Sequence, residues 1–266
     1  MKTKILLWAG LIMGALVSPA TAKSVLIFGG FGHTGSRIAK ILAGEGHDVT
    51  AFVRPSSSRD RLAGAKVRFA AGDVFKKDTV AAAIAEDQPD AVIAVLQSRR
   101  GQGSVHGEPE IRIIELAKQA GVTDYIYLSS VGAGADTPAQ RRRYPGINFD
   151  TFGSALEKKG DVETALIASG LRHKIVRSGS ILVEFGREPP PGPGRGYFTE
   201  DQDVLGPITY DDLALLIERC VGINGCTNKI YYANDDTLGP EYNHWLYRRF
   251  APRDKLDEAC DHLRPI

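Results

Sequence analysis

Short apolar runs alternate with amphipathic stretches along most of this chain, and no other feature limits its fold as much. Ser24–Phe28, Asp48–Val53, Lys66–Ala70, Ala91–Val95, Tyr125–Leu128 and His173–Val176 are brief and rich in Val, Ile and aromatic residues. Runs of that kind, lacking a polar face, predict strands covered on both sides. Between them, Gly35–Ala43, Thr79–Glu86, Glu108–Gln119 and Phe152–Ser169 carry helical patterning. Strand and helix in strict alternation predict right-handed βαβ units and a doubly wound parallel sheet, an α/β fold. A loop-like section, Glu184–Asp203, interrupts late with REPPPGPGRG, after which a helix over Tyr210–Val221 and a strand over Lys229–Tyr232 resume the pattern. At 266 residues, one domain with a small insertion fits better than two.

The first 22 residues read differently. Lys2 and Lys4 precede an apolar run from Ile5 to Val17, followed by Pro19 and the small-residue triplet Ala20-Thr21-Ala22. The run is too short for a comfortable membrane span and the triplet is an A-x-A cleavage pattern, so a cleaved secretory signal is expected. Cleavage after Ala22 would leave Lys23 at the mature terminus, a periplasmic or secreted chain with no membrane span. The formal charge of +1 gives no electrostatic case for a nucleic-acid partner. Arg99-Arg100 and Arg141-Arg142-Arg143 read as solvated surface. Of the three cysteines, Cys220 and Cys226 can bridge across a helix end, or Cys260 can take either partner; the alternative is that all three are small buried hydrophobes. With no C-x-x-C and no H-E-x-x-H, no metal site is expected.

Chemistry enters at SVLIFGGFGHTGSRIAKIL. Gly29, Gly32 and Gly35 form G-x-x-G-x-x-G straight after the first strand, at the start of a helix. Glycine permits the tight turn and lets backbone approach a pyrophosphate, while the helix N-terminus offers free N–H groups and a positive dipole end. His33 and Thr34 lie in the same turn. At the end of the second strand, where NAD-binding versions usually place a carboxylate for the ribose 2′-OH, this chain has FVRPSSSRDR. Arg54 can fork onto a 2′-phosphate and Ser57 can add a donor, with Ser58, Arg59 and Arg61 close behind. NADP is therefore preferred over NAD as cofactor. Asp73 in AGDV, after the third strand, is expected at the adenine ring.

Together, GGFGHTG, AGDV, YIYLSSVGA, the KKGDVETALIASGL helix and the HKIVRSGSIL strand resemble the atypical short-chain dehydrogenase/reductases of the NmrA-like NAD(P)-binding group. The resemblance runs from about Ser24 to Asp235. It implies a Rossmann core over residues 23–180 and a smaller C-terminal substrate-side lobe over residues 181–266. It also implies that Ser129 and Ser130 border the nicotinamide, that Lys159 hydrogen-bonds its ribose, and that Glu163 belongs to the same helical pattern.

One departure matters. Many members carry Tyr-x-x-x-Lys, in which the tyrosine hydroxyl donates a proton. Four residues before Lys159 this chain has Ala155, and four before Lys158 it has Ser154. Ser129 or a tyrosine of the late loop, Tyr197 foremost, is a substitute. Three readings stay open: an NADP(H)-dependent oxidoreductase acting on a small organic substrate with Ser129 and Lys159 catalytic, a redox-inactive nucleotide-binding or regulatory module, and a sugar-nucleotide epimerase-like enzyme.

Overall fold

A computed structural model of the chain describes residues 22–98, 101, 103–182, 194–222, 227–235 and 237–238. Most of the expected export signal, residues 1–21, lies outside the described residues, as do Arg99, Arg100, Cys226, Cys260 and residues 183–193 of the proline-glycine section.

The strands are β1 (Ser24–Phe28), β2 (Asp48–Val53), β3 (Val67–Ala71), β4 (Ala91–Ala94), β5 (Asp124–Ser130), β6 (Arg172–Ser178), β7 (Ile181–Leu182), β8 (Tyr197–Thr199), β9 (Ile208–Thr209) and β10 (Lys229–Asn234). The helices are α1 (His33–Gly44), α2 (Lys77–Asp87), α3 (Glu108–Gln119), α4 (Pro138–Arg143), α5 (Phe149–Ser169) and α6 (Tyr210–Glu218). Eight strands form one sheet in the order β3-β2-β1-β4-β5-β6-β10-β8, parallel throughout except for β8. The first six positions are the doubly wound order 3-2-1-4-5-6. The expected Rossmann-like α/β fold is the one observed.

Alternation along β1 decides what lies on each face. Val25 and Ile27 point to one side, where Ile38 and Leu42 of α1 meet Leu213 and Ile217 of α6. Leu26 and Phe28 point to the other, under Val80 and Ile84 of α2, Ile113 of α3, and Val162 and Leu166 of α5. All four β1 side chains have no exposed surface. Burial of each contributes roughly 1.5–3 kcal/mol, so the site-bearing strand is anchored from both faces.

Element ends differ from the apolar reading in a consistent way. β5 and β6 run on to Ser130 and Ser178, paired in register from Asp124↔Arg172 to Ser130↔Ser178. Their last residues are polar, so an apolar pattern stops short of them. α5 begins at Phe149 because the Asn148 side chain caps it, accepting from the Thr151 N–H at 3.1 Å. α4, capped by Thr137 with Pro138 in its first turn, is too short to show a period. Part of the section expected as loop is strand: β8 pairs antiparallel with β10, Asn234 opposite Tyr197. Cys220 is fully buried, its thiol 3.4 Å from the Leu216 carbonyl and pushed up to about 12 by burial, consistent with a small buried side chain.

Candidate functional site

The strand order reverses between β1 and β4, and crevices at such switch points hold ligands outside the carboxyl ends of the strands. A cleft of about 890 Å³ opens there. The turn from β1 to α1 forms its floor. Gly29 sits at φ +89°, and a Cβ on it would lie 2.5 Å from the Val95 carbonyl oxygen of the neighbouring strand. The Gly32 N–H donates to the Gly29 carbonyl at 2.9 Å, closing the turn. Gly35 packs so closely on that turn that a Cβ would collide with the Gly29 carbonyl.

α1 starts at His33, two residues earlier than its pattern suggests, because the turn itself ends in helical geometry. Gly32 is the N-cap and supplies no side-chain hydrogen bond to the first turn. The opening N–H groups of a helix lack partners within it, so this end is suited to an anion. Gly32, exposed at the cleft, places no side chain over these N–H groups, so a diphosphate has room to approach them.

Of the ten residues expected to bind cofactor or act chemically, nine line this one cleft: Gly29, Gly32, His33, Thr34, Arg54, Ser57, Asp73, Ser129 and Lys159. Gly35 does not, since it lies buried beneath the turn that it makes possible.

At the β2 end, the Ser57 N–H donates to the Arg54 carbonyl at 2.9 Å, curling this segment toward the cleft. Arg61 also lines the cleft; it donates to the Phe31 carbonyl at 3.0 Å and reaches His33 Nε2 at 3.3 Å. Asp73 holds its own loop, its Oδ1 accepting from the Phe75 N–H at 3.0 Å.

At the β5 end, Ser129 is 3 % exposed and its hydroxyl donates to Glu163 Oε1 at 2.5 Å. Arg177 grips both oxygens of that carboxylate, at 3.0 and 2.5 Å, and donates to the Tyr232 hydroxyl at 2.9 Å. Arg177 stands directly opposite Ser129 in the β5–β6 register, which brings the three together. The Ser129 proton is thus committed to a carboxylate, leaving its oxygen as an acceptor toward the cleft. The Lys159 ammonium donates to the Leu128 carbonyl at 3.1 Å and stands 5.2 Å above the Tyr127 ring. Burial lowers its pKa, partly opposed by Glu110 and Glu163.

Tyr197 is not at this site: it is 2 % exposed in β8, at the far edge of the sheet, and does not line the cleft. The tyrosine that does is Tyr210, first residue of α6, placed by its Thr209 cap, whose side chain accepts from the Asp212 N–H. The sequence reading passed over Tyr210 and also Phe152, half-exposed on the cleft side of α5 at 51 %. The T-x-x-D cap signature before an apolar helix marked Tyr210. A bare phenylalanine marks nothing by itself. Among the described residues, no cluster of His, Cys, Asp and Glu suits a metal, and no helix is long and apolar enough to cross a membrane.

An NAD(P)H azoreductase of Xenophilus azovorans is 29% identical over 126 residues, which is 47% of this chain and 41% of that one, so the match spans less than half of that relative. Among solved structures, ChuY, an anaerobillin reductase of Escherichia coli O157:H7, superposes with a TM-score of 0.66 at 24% identity, covering 81% of this chain and 98% of its own. A putative NAD-dependent epimerase/dehydratase of Bacillus halodurans gives 0.63 at 22%, covering 79% and 93%. The profile of a family described as NAD(P)H-binding matches residues 29–222, from the first glycine of the cradle to just beyond α6, and the chain belongs to that family.

Proposed function

We propose that this protein is an NADP(H)-dependent reductase of a small organic molecule. A dinucleotide would be held along the cleft by the Gly29–Thr34 turn at its pyrophosphate, by Arg54 and Ser57 at its 2′-phosphate, and by Asp73 at its adenine. Its nicotinamide end faces Ser129 and Lys159. When bound, the cofactor supplies hydride, and the protein supplies orientation and electrostatics. Lys159 holds the ribose, and Ser129, fixed by Glu163 and Arg177, accepts a hydrogen bond from the nicotinamide amide or the substrate. The segment from residue 181 onward forms the substrate side. One observation carries this reading: residues chosen from five separate places in the chain converge on a single cleft at the switch point. The reductase names of two relatives favour reduction over epimerisation. A second reading has its own support. On that reading, Ala155 in place of tyrosine and the committed Ser129 proton would leave a dinucleotide-binding module without turnover.

The testing experiment is thermal unfolding with each nucleotide. NADPH is expected to stabilise the protein by on the order of 2.7 kcal/mol at one hundred times its Kd, and NADH by less at the same concentration. Arg54→Ala is expected to erase the difference, leaving the two responses equal. Equal responses in the wild type would end the Arg54 assignment, and no response to either would end the cofactor reading. The export reading of residues 1–22 stands beside this one. Mass spectrometry of the extracytoplasmic fraction should find Lys23 as the N-terminus; a chain starting at Met1 in the cytoplasm contradicts it.

A further inference from the structure

His33 opens α1 at the mouth of the cleft, and its surroundings are unusual for a histidine. Its ring stacks on Tyr210 with centroids 5.2 Å apart and planes at 29°. Arg61, from the short 3-10 turn over Asp60–Leu62, brings Nη2 to 3.3 Å from His33 Nε2. Arg37, one turn along α1, donates to the His33 carbonyl at 3.0 Å and stands 5.5 Å above the Tyr210 ring. From α6, Asp211 takes the Arg37 Nε at 2.5 Å. The groups facing the imidazole are therefore two guanidiniums, one phenol, and one carboxylate already engaged by Arg37.

A guanidinium has donors and no acceptor. The His33 nitrogen that meets Arg61 is consequently the bare one, so the ring is neutral with its proton on Nδ1. Partial burial, then Arg61 and Arg37, hold its pKa below the usual value. An arriving phosphate reverses this balance. It offers Arg61 a better acceptor than an imidazole nitrogen, and it adds negative charge beside an imidazole that until then meets two guanidiniums and no uncommitted carboxylate.

We propose that His33 is a proton-linked phosphate ligand: neutral in the free protein, it takes a proton from solvent onto Nε2 as the dinucleotide phosphates settle at the start of α1 and draw Arg61 away. This rests on the dinucleotide reading of the cleft and adds a proton to its binding equilibrium. The sign follows from linkage. A proton bound together with ligand makes affinity rise as pH falls through the window in which free His33 is neutral and bound His33 is charged.

Isothermal titration of NADPH, and separately NADH, into the full chain in buffers of different ionisation enthalpy reads this directly. The wild type should take up close to one proton per nucleotide near pH 7 and none at pH 9. Affinity should rise about tenfold per pH unit where uptake is complete. NADH should show the same uptake, because the site is at the pyrophosphate; the NADPH 2′-phosphate can only add proton release of its own. His33→Gln should still bind, with no uptake and a flat affinity over that window. Binding by the wild type without buffer dependence, or undiminished uptake in His33→Gln, overturns the proposal and leaves the dinucleotide reading standing. Absence of binding by either nucleotide overturns both.

Discussion

Gly32→Val is expected to abolish binding of NADPH and NADH alike while leaving the fold nearly as stable as before. Gly32 has φ −66° and ψ 172°, extended backbone open to any residue, and a Cβ there would touch only the Gly29 carbonyl oxygen, at 3.2 Å. The position is exposed and lines the cleft, so a valine side chain occupies the space above the first turn of α1 where phosphate oxygens would approach. Losing even two backbone hydrogen bonds to a charged group corresponds to about a hundredfold or more in affinity. Replacing the N-cap glycine costs the helix at most about 1 kcal/mol.

Gly35→Ala should do the reverse. Its methyl group collides with the Gly29 carbonyl and comes within 2.9 Å of Gly30 Cα, backbone that β1 anchors from both faces. Relief requires the cradle to open, and a loss on the order of 3 kcal/mol is expected from this overpacking. Gly44→Ala, at the end of the same helix with nothing within 4 Å, is the control and should be neutral or slightly stabilising. Chemical denaturation and nucleotide titration of the three variants separate the two roles. If Gly32→Val binds NADPH normally, the cradle is a structural turn and the cofactor lies elsewhere.

What the sequence made legible was local. The strand–glycine–helix turn could be read because its cause is contained within Gly29–Gly35: tight backbone, close approach, helix start. Arg54 and Asp73 could be read because each follows a strand whose end the apolar run marks. Contacts made by register could not be read. The hold of Arg177 on Glu163 depends on β6 lying parallel to β5 with Ser129 opposite Arg177, and no spacing in the chain announces that. The same limit misplaced Tyr197. Its loop-like neighbourhood suggested a side chain free to reach the cleft, whereas pairing with Asn234 fixes it at the sheet edge. Tyr210 is the converse, a helix-opening residue that tertiary packing of α6 on α1 carries back to His33.

The position that separates enzyme from module is Ala155. Phe152, Ala155 and Lys159 follow one face of α5 at spacings of three and four residues, and both Phe152 and Lys159 line the cleft. A tyrosine at 155 would thus project on the lysine's side, one turn before it. As the chain stands, hydride transfer to a carbonyl would leave a developing alkoxide without a ready donor, since the Ser129 proton is directed at Glu163 and the Tyr127 hydroxyl is buried against Glu110. Wild-type turnover of simple aldehydes and ketones with NADPH is therefore expected to be weak or undetectable. Ala155→Tyr is expected to raise it by about a hundred- to ten-thousand-fold, the range of general acid–base assistance, with Kd for NADPH unchanged. Ala155→Phe, which adds the ring without the hydroxyl, should not. A steady-state rate and an independent NADPH titration on all three proteins decide the matter. Brisk wild-type reduction that Ser129→Ala stops would mean that Ser129 releases its proton to substrate despite Glu163, and the catalytic acid would then reside on β5 and not on α5.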